Sequence, residues 1–320
     1  MQIGVFTALW GNLSFEEALD KAVSFGITAV EIGAGGYPGQ PHCPVDDLLK
    51  SETKRDEWLG KISDRGLTLS ALSVHNNPIH PDKKIAAEAD DVIKKAIKLA
   101  ALLGVPTING FSGLPGGAPG DKMPNWVTCA WPPHFPEILD YQWNDVTIPY
   151  WKTIHPLLEE NNLTLGFEMH PGILVYNVDT LLRLREEVGP RLGCNFDPSH
   201  LWWNGVDPVA AIRKLGESIF HVHGKDVYVD PYNTSVNGCN DYKHYGDIPK
   251  RSWTFRSIGY GHDLIAWKDI ISTLRMVGYD YVMSIEHEDV LMSPDEGLGK
   301  AVSILKQALI SEEAGEMFWA

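Results

Sequence analysis

Four consecutive apolar segments in the second half of the sequence each end in acidic or histidine side chains. They read Gly-Phe-Glu-Met-His-Pro-Gly at Glu168, Asn-Phe-Asp-Pro-Ser-His at Asp197, His-Val-His-Gly-Lys-Asp at His223 and Ser-Ile-Glu-His-Glu at Glu286. Acidic side chains are seldom buried unless they are paired or hold a metal, and several at one place would repel one another. One such residue alone is more simply a solvated loop residue. The series predicts a divalent cation held by Glu168, Asp197, His223 and Glu286.

The proposed ligand set is rich in oxygen and contains one nitrogen. It suits Mn²⁺, Mg²⁺ or Co²⁺ better than a structural zinc ion, which favours closed, cysteine-rich sites. We take Mn²⁺ as the first expectation and Mg²⁺ or Co²⁺ as alternatives. His221 and His223 are two residues apart and share one face of a strand. One of them is therefore expected to face the metal and the other to pack or hydrogen-bond behind it.

Other polar side chains near the same segment ends are candidates for catalysis or substrate binding. His170 lies two residues after Glu168, and His200 lies just beyond its own apolar segment. His170 is a candidate for proton transfer and His200 for substrate binding, and a structural histidine beside Pro171 is an equally simple interpretation of His170. Lys225 would stabilise a developing oxyanion unless it is an ordinary exposed lysine. The remaining substrate-binding candidates are His75, Asn109, Trp10 and Arg256.

The segments that must position these residues alternate between apolar runs and amphipathic stretches. Ser14 and Glu17 have the spacing of a helix capping box, and Gly26 is a C-cap candidate. Strands are predicted at 3–10, 27–32, 67–75, 107–113, 163–170, 192–197, 219–223 and 281–286, and later helices at 56–65, 86–103, 148–161, 178–188, 208–216, 265–277 and 294–310. Strands that are apolar on both faces belong in a parallel sheet covered by helices. The pattern predicts an α/β protein with a (β/α)8 barrel, and an open doubly wound sheet is the alternative.

Two connections are too long to be simple turns. Residues 114–146 follow the fourth predicted strand and residues 227–264 follow the seventh. Both would lie at the carboxyl ends of the strands, where barrel active sites are built. Their aromatic side chains suit stacking on a sugar ring, and flaps that only cover the core would have a similar composition. Neither repeats nor a linker interrupt the chain, so we expect residues 1–320 to form a single domain.

Composition narrows the range of functions. The 320 residues carry 27 basic and 42 acidic side chains, a formal charge of −15. This charge disfavours nucleic acid and anionic membranes as partners, because both require a basic surface. The sequence does not start like a signal peptide, and it contains neither a long apolar run nor a paired cysteine motif. These features favour a cytoplasmic protein. The glycine-rich segments lack the spacing of a dinucleotide-binding fingerprint.

The four strand-end motifs resemble those of the xylose isomerase-like TIM barrels known as sugar phosphate isomerases/epimerases. The resemblance covers nearly the whole chain and implies one divalent ion on Glu168, Asp197, His223 and Glu286. In the epimerase branch the two glutamates also exchange protons on opposite faces of a carbon beside a carbonyl. Lys225 follows a glycine where that branch has a glutamate. The long loops after strands 4 and 7 are similar to members that handle larger glycosides, including the large subunits of C-glycoside deglycosidases.

Taken together, these patterns predict a metal-dependent sugar isomerase or epimerase. Glu286, Glu168 or His170 would remove a proton next to a carbonyl, giving an enediolate that is reprotonated elsewhere or on the other face. The alternative is a lyase that deprotonates C2 of a 3-oxo-glycoside, C- or O-linked, and releases the aglycone by β-elimination. The isomerase would be a homo-oligomer, whereas a deglycosidase would work as a hetero-oligomer with a small subunit. A nuclease is disfavoured by the charge, and a sugar-binding protein without turnover is a further alternative.

Overall fold

The computed structural model describes residues 1–313 and 315–319, and residues 314 and 320 of the expected domain 1–320 lie outside this description. Within the described part, the strands are β1 (Gln2–Phe6), β2 (Ala29–Gly33), β3 (Thr68–Ser73), β4 (Thr107–Gly110), β5 (Thr164–Glu168), β6 (Leu192–Phe196), β7 (Ile219–Gly224), β8 (Asp226–Val229), β9 (Trp253–Arg256) and β10 (Val282–Ile285). A closed parallel barrel is formed in the order β1-β10-β7-β6-β5-β4-β3-β2, and β8 pairs with β9 in a separate antiparallel hairpin. The predicted (β/α)8 barrel is confirmed, and the open sheet is wrong.

Helices separate the barrel strands as the alternation predicts. They are α1 (Phe15–Ser24), α2 (Val45–Lys50), α3 (Glu52–Ser63), α4 (Lys83–Leu103), α5 (His134–Asp140), α6 (Ile148–Glu160), α7 (Val178–Val188), α8 (Ser199–Trp202), α9 (Pro208–Leu215), α10 (Pro231–Asn237), α11 (Leu264–Met276) and α12 (Pro294–Ala308). The capping box of α1 is present, because Glu17 N–H donates to Ser14 Oγ and Ser14 N–H donates to Glu17 Oε2. Among the helices of the described residues, none has the length and apolar character needed to cross a membrane.

The first strand is shorter than the predicted 3–10. It ends at Phe6, the last residue of β1 that pairs with β2, and Thr7–Trp10 form a 3₁₀ turn. Gly11 N–H donates to the carbonyl of Ala8 at 3.1 Å and closes this turn. The apolar run continues past the strand because the turn is also buried. Burial alone therefore does not distinguish a strand from a tight turn.

Both long connections contain regular structure that the sequence analysis did not predict. Residues 114–146 include α5 and most of a π-helical segment, Tyr141–Thr147, that leads into α6. Residues 227–264 include nearly all of the β8–β9 hairpin and α10. Asp226 anchors this second connection, because its buried Oδ2 accepts backbone hydrogen bonds from Gly259, Gly261 and His262. The hairpin is thereby held at the carboxyl end of β7.

Candidate metal centre and adjoining cavity

Four potential metal ligands converge where neighbouring barrel strands end. Glu168 is the last residue of β5, Asp197 follows β6, His223 lies near the end of β7 and Glu286 follows β10. One nitrogen or oxygen atom from each lies within 4.8 Å of the corresponding atoms of the others. These strands are neighbours in the barrel, in the order β5-β6-β7-β10. The geometry therefore brings together the ligand set expected from the sequence.

The donor atoms of this set fit a divalent cation. His223 Nδ1 lies 3.1 Å from Glu168 Oε2 and 3.4 Å from Glu286 Oε2. Asp197 Oδ1 accepts a hydrogen bond from Ser199 N–H at 2.8 Å, whereas its buried Oδ2 accepts none from the described residues. A buried carboxylate oxygen without a hydrogen bond is unusual and requires an explanation. Three carboxylates and one imidazole supply the oxygen-rich set that a hard or borderline cation prefers.

Lys225 lies against the same carboxylates and is almost completely buried. Its Nζ donates to Glu286 Oε2 at 2.5 Å and to Glu288 Oε2 at 3.1 Å, and it lies 3.1 Å from Asp197 Oδ2. Burial alone would lower the pKa of this ammonium, but the acidic neighbours raise it well above its ordinary value. Lys225 is therefore a charged group inside the site, and the exposed-lysine interpretation is wrong.

The carboxylates of the set differ in their affinity for protons. Burial raises the pKa of Asp197 to about 7 against the opposing charge of Lys225, and Glu168 and Glu286 add to the increase. Burial also opposes ionisation of Glu286, yet Lys225 and His223 lower the pKa of Glu286 to about 2. Separated pKa values in neighbouring carboxyl groups are typical of catalytic sites.

Glu168 connects the ligand set to two further histidines. His75 Nε2 lies 3.1 Å from Glu168 Oε2, and His200 Nε2 lies 2.9 Å from Glu168 Oε1. Burial would raise the pKa of Glu168, but hydrogen bonds from His200, His223 and His75 hold it well below its ordinary value. His75 and His200 thus contact one oxygen each of the Glu168 carboxylate and can orient it.

A cavity of about 570 Å³ is lined by Glu288, which accepts a hydrogen bond from Lys225, and none of the four candidate ligands is among the described residues that line it. His170 lines it, and the ring of His170 lies 4.2 Å from that of His200. Phe255 of the hairpin forms part of another wall and lies under Lys225 Nζ at 4.6 Å. The remaining lining side chains are Leu9, Tyr245, Thr254, His287, Asp289, Val290, Met292 and Pro294. The cavity wall therefore combines apolar and aromatic side chains with several polar ones.

Three of the expected substrate-binding residues have other contacts. Asn109 lies in the barrel interior, where its Nδ2 donates to Glu31 Oε1 at 2.8 Å. Trp10 packs in the core with Lys21 Nζ 5.8 Å from its ring centre. Arg256 Nε donates to Asp289 Oδ2 at 3.0 Å. None of the three is among the described residues that line the cavity.

The sequence analysis missed Glu31, a fully buried acid in β2. Its carboxylate lies 3.0 Å from His223 Nε2 and also accepts hydrogen bonds from Asn109 and Ser73. Burial would raise the pKa of Glu31, but the imidazoles of His223 and His221 lower it below the ordinary range. The available signal was a single carboxylate inside the apolar run Ala-Val-Glu-Ile-Gly. Such a residue requires a polar partner inside the barrel.

The chain belongs to the xylose isomerase-like TIM barrel family, whose family model matches residues 19–308. The protein YfiH of Bacillus subtilis (strain 168), which is described as uncharacterized, is 42% identical over 312 residues, covering 97% of this chain and 99% of YfiH. Inosose dehydratase of Geobacillus thermodenitrificans is 24% identical over 175 residues, covering 54% of this chain and 56% of the dehydratase.

Solved structures share the fold at low sequence identity. The probable 3-DHS dehydratase AsbF of Bacillus anthracis has a TM-score of 0.66 and 19% identity, covering 96% of this chain and 99% of AsbF. The IOLI protein with a bound zinc atom has a TM-score of 0.65 and 16% identity, with coverages of 97% and 99%. A D-tagatose 3-epimerase-like protein has a TM-score of 0.64 and 21% identity, with coverages of 96% and 97%.

Proposed function

We propose that this protein is a divalent-metal-dependent sugar isomerase or epimerase that abstracts a proton next to a carbonyl group. The observation that carries the proposal is the convergence of Glu168, Asp197, His223 and Glu286 beside the cavity, with one ligand atom of each within 4.8 Å of the rest. The expected ion is a single Mn²⁺, with Mg²⁺ or Co²⁺ as alternatives. The zinc atom in the structurally similar IOLI protein supports a metal and leaves its identity to be tested.

The residues of the site would have different roles in the reaction. A bound cation would supply Lewis acidity, which makes the proton on a carbon beside a carbonyl easier to remove. Glu168 and Glu286, whose carboxylates lie 3.1 and 3.4 Å from His223 Nδ1, would remove and return that proton. His170 is the alternative base, because it lies on the cavity wall. Lys225 would stabilise the negative charge of the enediolate by its ammonium group.

Deuterium exchange tests this reaction directly. Metal-loaded protein would be incubated in D₂O with ketoses, aldoses and inososes, and the carbon-bound protons followed by NMR. Exchange at one position together with a new sugar isomer is the expected result. Glu286→Gln and metal-stripped protein should show neither. Exchange that persists in both would contradict the assigned base and the metal requirement.

The second candidate is a lyase that acts on an oxidised glycoside. Two observations favour it, namely the apolar lining of the cavity and the partial similarity to inosose dehydratase, whose name denotes the elimination of water from an inosose. The same proton abstraction at C2 of a 3-oxo-glycoside would expel the aglycone by β-elimination. Aglycone release from 3-oxo-glucosides, without isomerisation of any free sugar, would establish the lyase and exclude the isomerase.

We further propose that residues 1–320 act as one domain and that the substrate is a small sugar or glycoside. The assembly would be a homo-oligomer, or for the lyase a hetero-oligomer with a small subunit, acting in the cytoplasm. Light scattering after size-exclusion chromatography would give the mass of the native assembly, and a mass equal to one chain of 35.6 kDa would contradict the homo-oligomer.

A further inference from the structure

We propose that Glu31 is a positioning residue that fixes the ring orientation and tautomer of His223, so that Nδ1 is the nitrogen available to the cation. This inference rests on the proposed metal site and adds to it a residue from the opposite side of the barrel. β2, which carries Glu31, pairs only with β1 and β3, whereas His223 belongs to β7. The two side chains meet across the barrel interior.

The two nitrogens of the His223 ring face different carboxylates, whereas Asn195 Nδ2 lies 3.2 Å from Nε2 and 3.4 Å from Nδ1 and contacts both. Nε2 lies 3.0 Å from Glu31 Oε2 and 3.1 Å from Glu31 Oε1. Nδ1 lies on the other side of the ring, near the carboxylates of Glu168 and Glu286. Because an ionised carboxylate only accepts hydrogen bonds, Nε2 must carry the proton in this contact. Nδ1, which faces the carboxylates of the ligand set, is then the nitrogen that would be deprotonated when a cation binds there.

Glu31 is itself held in place by donors that do not belong to the ligand set. Asn109 Nδ2 donates to its Oε1 at 2.8 Å, and Ser73 Oγ donates to the same oxygen. The pairing of β2 with β3 shifts register between Val30 and Glu31. Irregular pairing of this kind re-aims a side chain, and it often occurs near functional sites. The Phe6 ring, 6.0 Å from that of His223, limits rotation of the imidazole.

A separate metal site at Glu31, His221 and His223 is a poorer interpretation of the same cluster. His221 Nδ1 lies 3.1 Å from Asn195 Oδ1, and its Nε2 lies 3.2 Å from Ser70 Oγ. The carboxylate of Glu31 already accepts three side-chain hydrogen bonds. Polar atoms with such partners have no need of a cation. A carboxylate that orients a metal-binding histidine is a recurrent arrangement in metalloproteins.

Co²⁺ titration of the metal-stripped protein, followed by visible absorption, tests the inference without any substrate. Glu31→Gln should weaken Co²⁺ binding about 10- to 100-fold, the range for loss of a residue that supports a metal ligand. It should also alter the Co²⁺ absorption bands, because the imidazole is no longer held in one orientation. Ser70→Ala is the matched control, since Ser70 is equally buried and contacts His221 but lies outside the Glu31–His223 pair. The control should leave the affinity and the bands unchanged.

Each alternative outcome has a definite meaning. Unchanged affinity and spectrum in Glu31→Gln would overturn this inference and leave the proposed metal site intact. Equal losses in Glu31→Gln and Ser70→Ala would indicate general damage to the interior and would also overturn it. A native protein that binds no Co²⁺ would overturn both proposals. If Glu31→Gln does not fold, nitrogen NMR of the zinc-loaded native protein decides, because metal coordination through His223 Nε2 would contradict the assignment.

Discussion

Lys225 Nζ donates a hydrogen bond to Glu286 Oε2 at 2.5 Å, which places a buried ammonium directly on a candidate metal ligand. The same nitrogen lies 3.1 Å from Asp197 Oδ2, a second member of the ligand set. One lysine thus compensates part of the negative charge that two buried carboxylates and the partly buried Glu286 bring together. A divalent cation would supply the same compensation from the centre of the set. Lys225 and the cation are therefore expected to share the task of stabilising these carboxylates.

Replacement of Lys225 by methionine should destabilise the protein most strongly when no metal is present. Loss of one partner from a buried ion pair leaves an uncompensated charge and costs about 3–5 kcal/mol. Saturating Mn²⁺ should recover much of that loss, because the cation compensates the same carboxylates. Urea unfolding in EDTA and in Mn²⁺ gives the two free energies of unfolding.

Lys250→Met is the control for that experiment. Lys250 is largely exposed and lies 3.6 Å from Asp247 in a surface pair, so its loss should cost about 0–1 kcal/mol with or without metal. If Lys225→Met were equally unstable in EDTA and in Mn²⁺, the shared role of the lysine and the cation would be wrong.

Metal binding should also raise the stability of the native chain. A ligand that binds only the folded state at 100 times its Kd adds about 2.7 kcal/mol to the free energy of unfolding. Asp197→Asn should reduce or abolish this increment, because it removes the charge of one carboxylate of the proposed ligand set. Glu217→Gln, an exposed acid at the other end of β7, should keep the full increment. An equal increment in both variants would place the metal elsewhere.

The sequence predicted the barrel and the convergence of four candidate ligands because both depend on local patterns. Apolar runs and helix caps recur along the chain, and Glu168, Asp197, His223 and Glu286 each directly end or follow a strand. The role of Glu31 depends instead on contacts across the barrel interior with residues such as Asn109 and His223. No local pattern determines which side chains meet there, and a lone acid in an apolar strand only indicates that a partner exists.

The contacts of individual residues in the long connections could not be predicted from the sequence either. Arg256 follows an aromatic-rich stretch and was a reasonable ligand for a substrate, yet in the structure it pairs with Asp289. That acid comes from the segment after β10, which is distant in sequence. The hairpin itself depends on Asp226, whose carboxylate collects backbone donors from 33 and more residues away. Such long-range polar contacts determine the structure of the loops, and the amino-acid composition of a loop does not reveal them.

Asp226→Ala should therefore loosen the segment between β7 and α11. The carboxylate accepts hydrogen bonds from the backbone of Gly259, Gly261 and His262 and from His262 Nδ1. These donors are only partly buried, so their loss should cost less than the roughly 1–3 kcal/mol for each fully buried donor. Faster cleavage within 227–264 in limited proteolysis is expected. Asp230→Ala, which removes only the cap of α10, should cost about 1 kcal/mol. Identical cleavage of the two variants would contradict the anchoring role of Asp226.

The thiols should differ sharply in reactivity. Cys129 is exposed, whereas Cys43 and Cys194 are buried. Burial raises the pKa of the Cys43 thiol to about 12, so at pH 8 only about one molecule in ten thousand would carry the reactive thiolate. Alkylation with mass-spectrometric detection should modify Cys129 rapidly and the two buried thiols only after unfolding. Cys129→Ser should remove the fastest reaction and leave that of the partly exposed Cys239, and rapid labelling of Cys43 in the native protein would contradict its burial.

The apolar cavity wall predicts a preference for substrates that carry an aromatic group. Tyr245 lines the cavity and stacks on Phe255 with ring centres 5.8 Å apart. Phenyl 3-oxo-glucoside should therefore bind more tightly than the methyl compound, and Tyr245→Ala should reduce that preference about two- to tenfold, since an aromatic pair contributes about 0.5–1.5 kcal/mol. Equilibrium titration of both glycosides measures the ratio.

Tyr242 provides the matched control, because it belongs to the same connection but is 95% exposed. Tyr242→Ala should leave the ratio of the two affinities unchanged. If the native protein bound the phenyl and methyl glycosides equally, the cavity would not accommodate an aromatic aglycone, and the support that the cavity gives to the lyase candidate would disappear. A ratio that falls in Tyr245→Ala alone would place the aglycone between the β8–β9 hairpin and the segment after β10, which together form that wall.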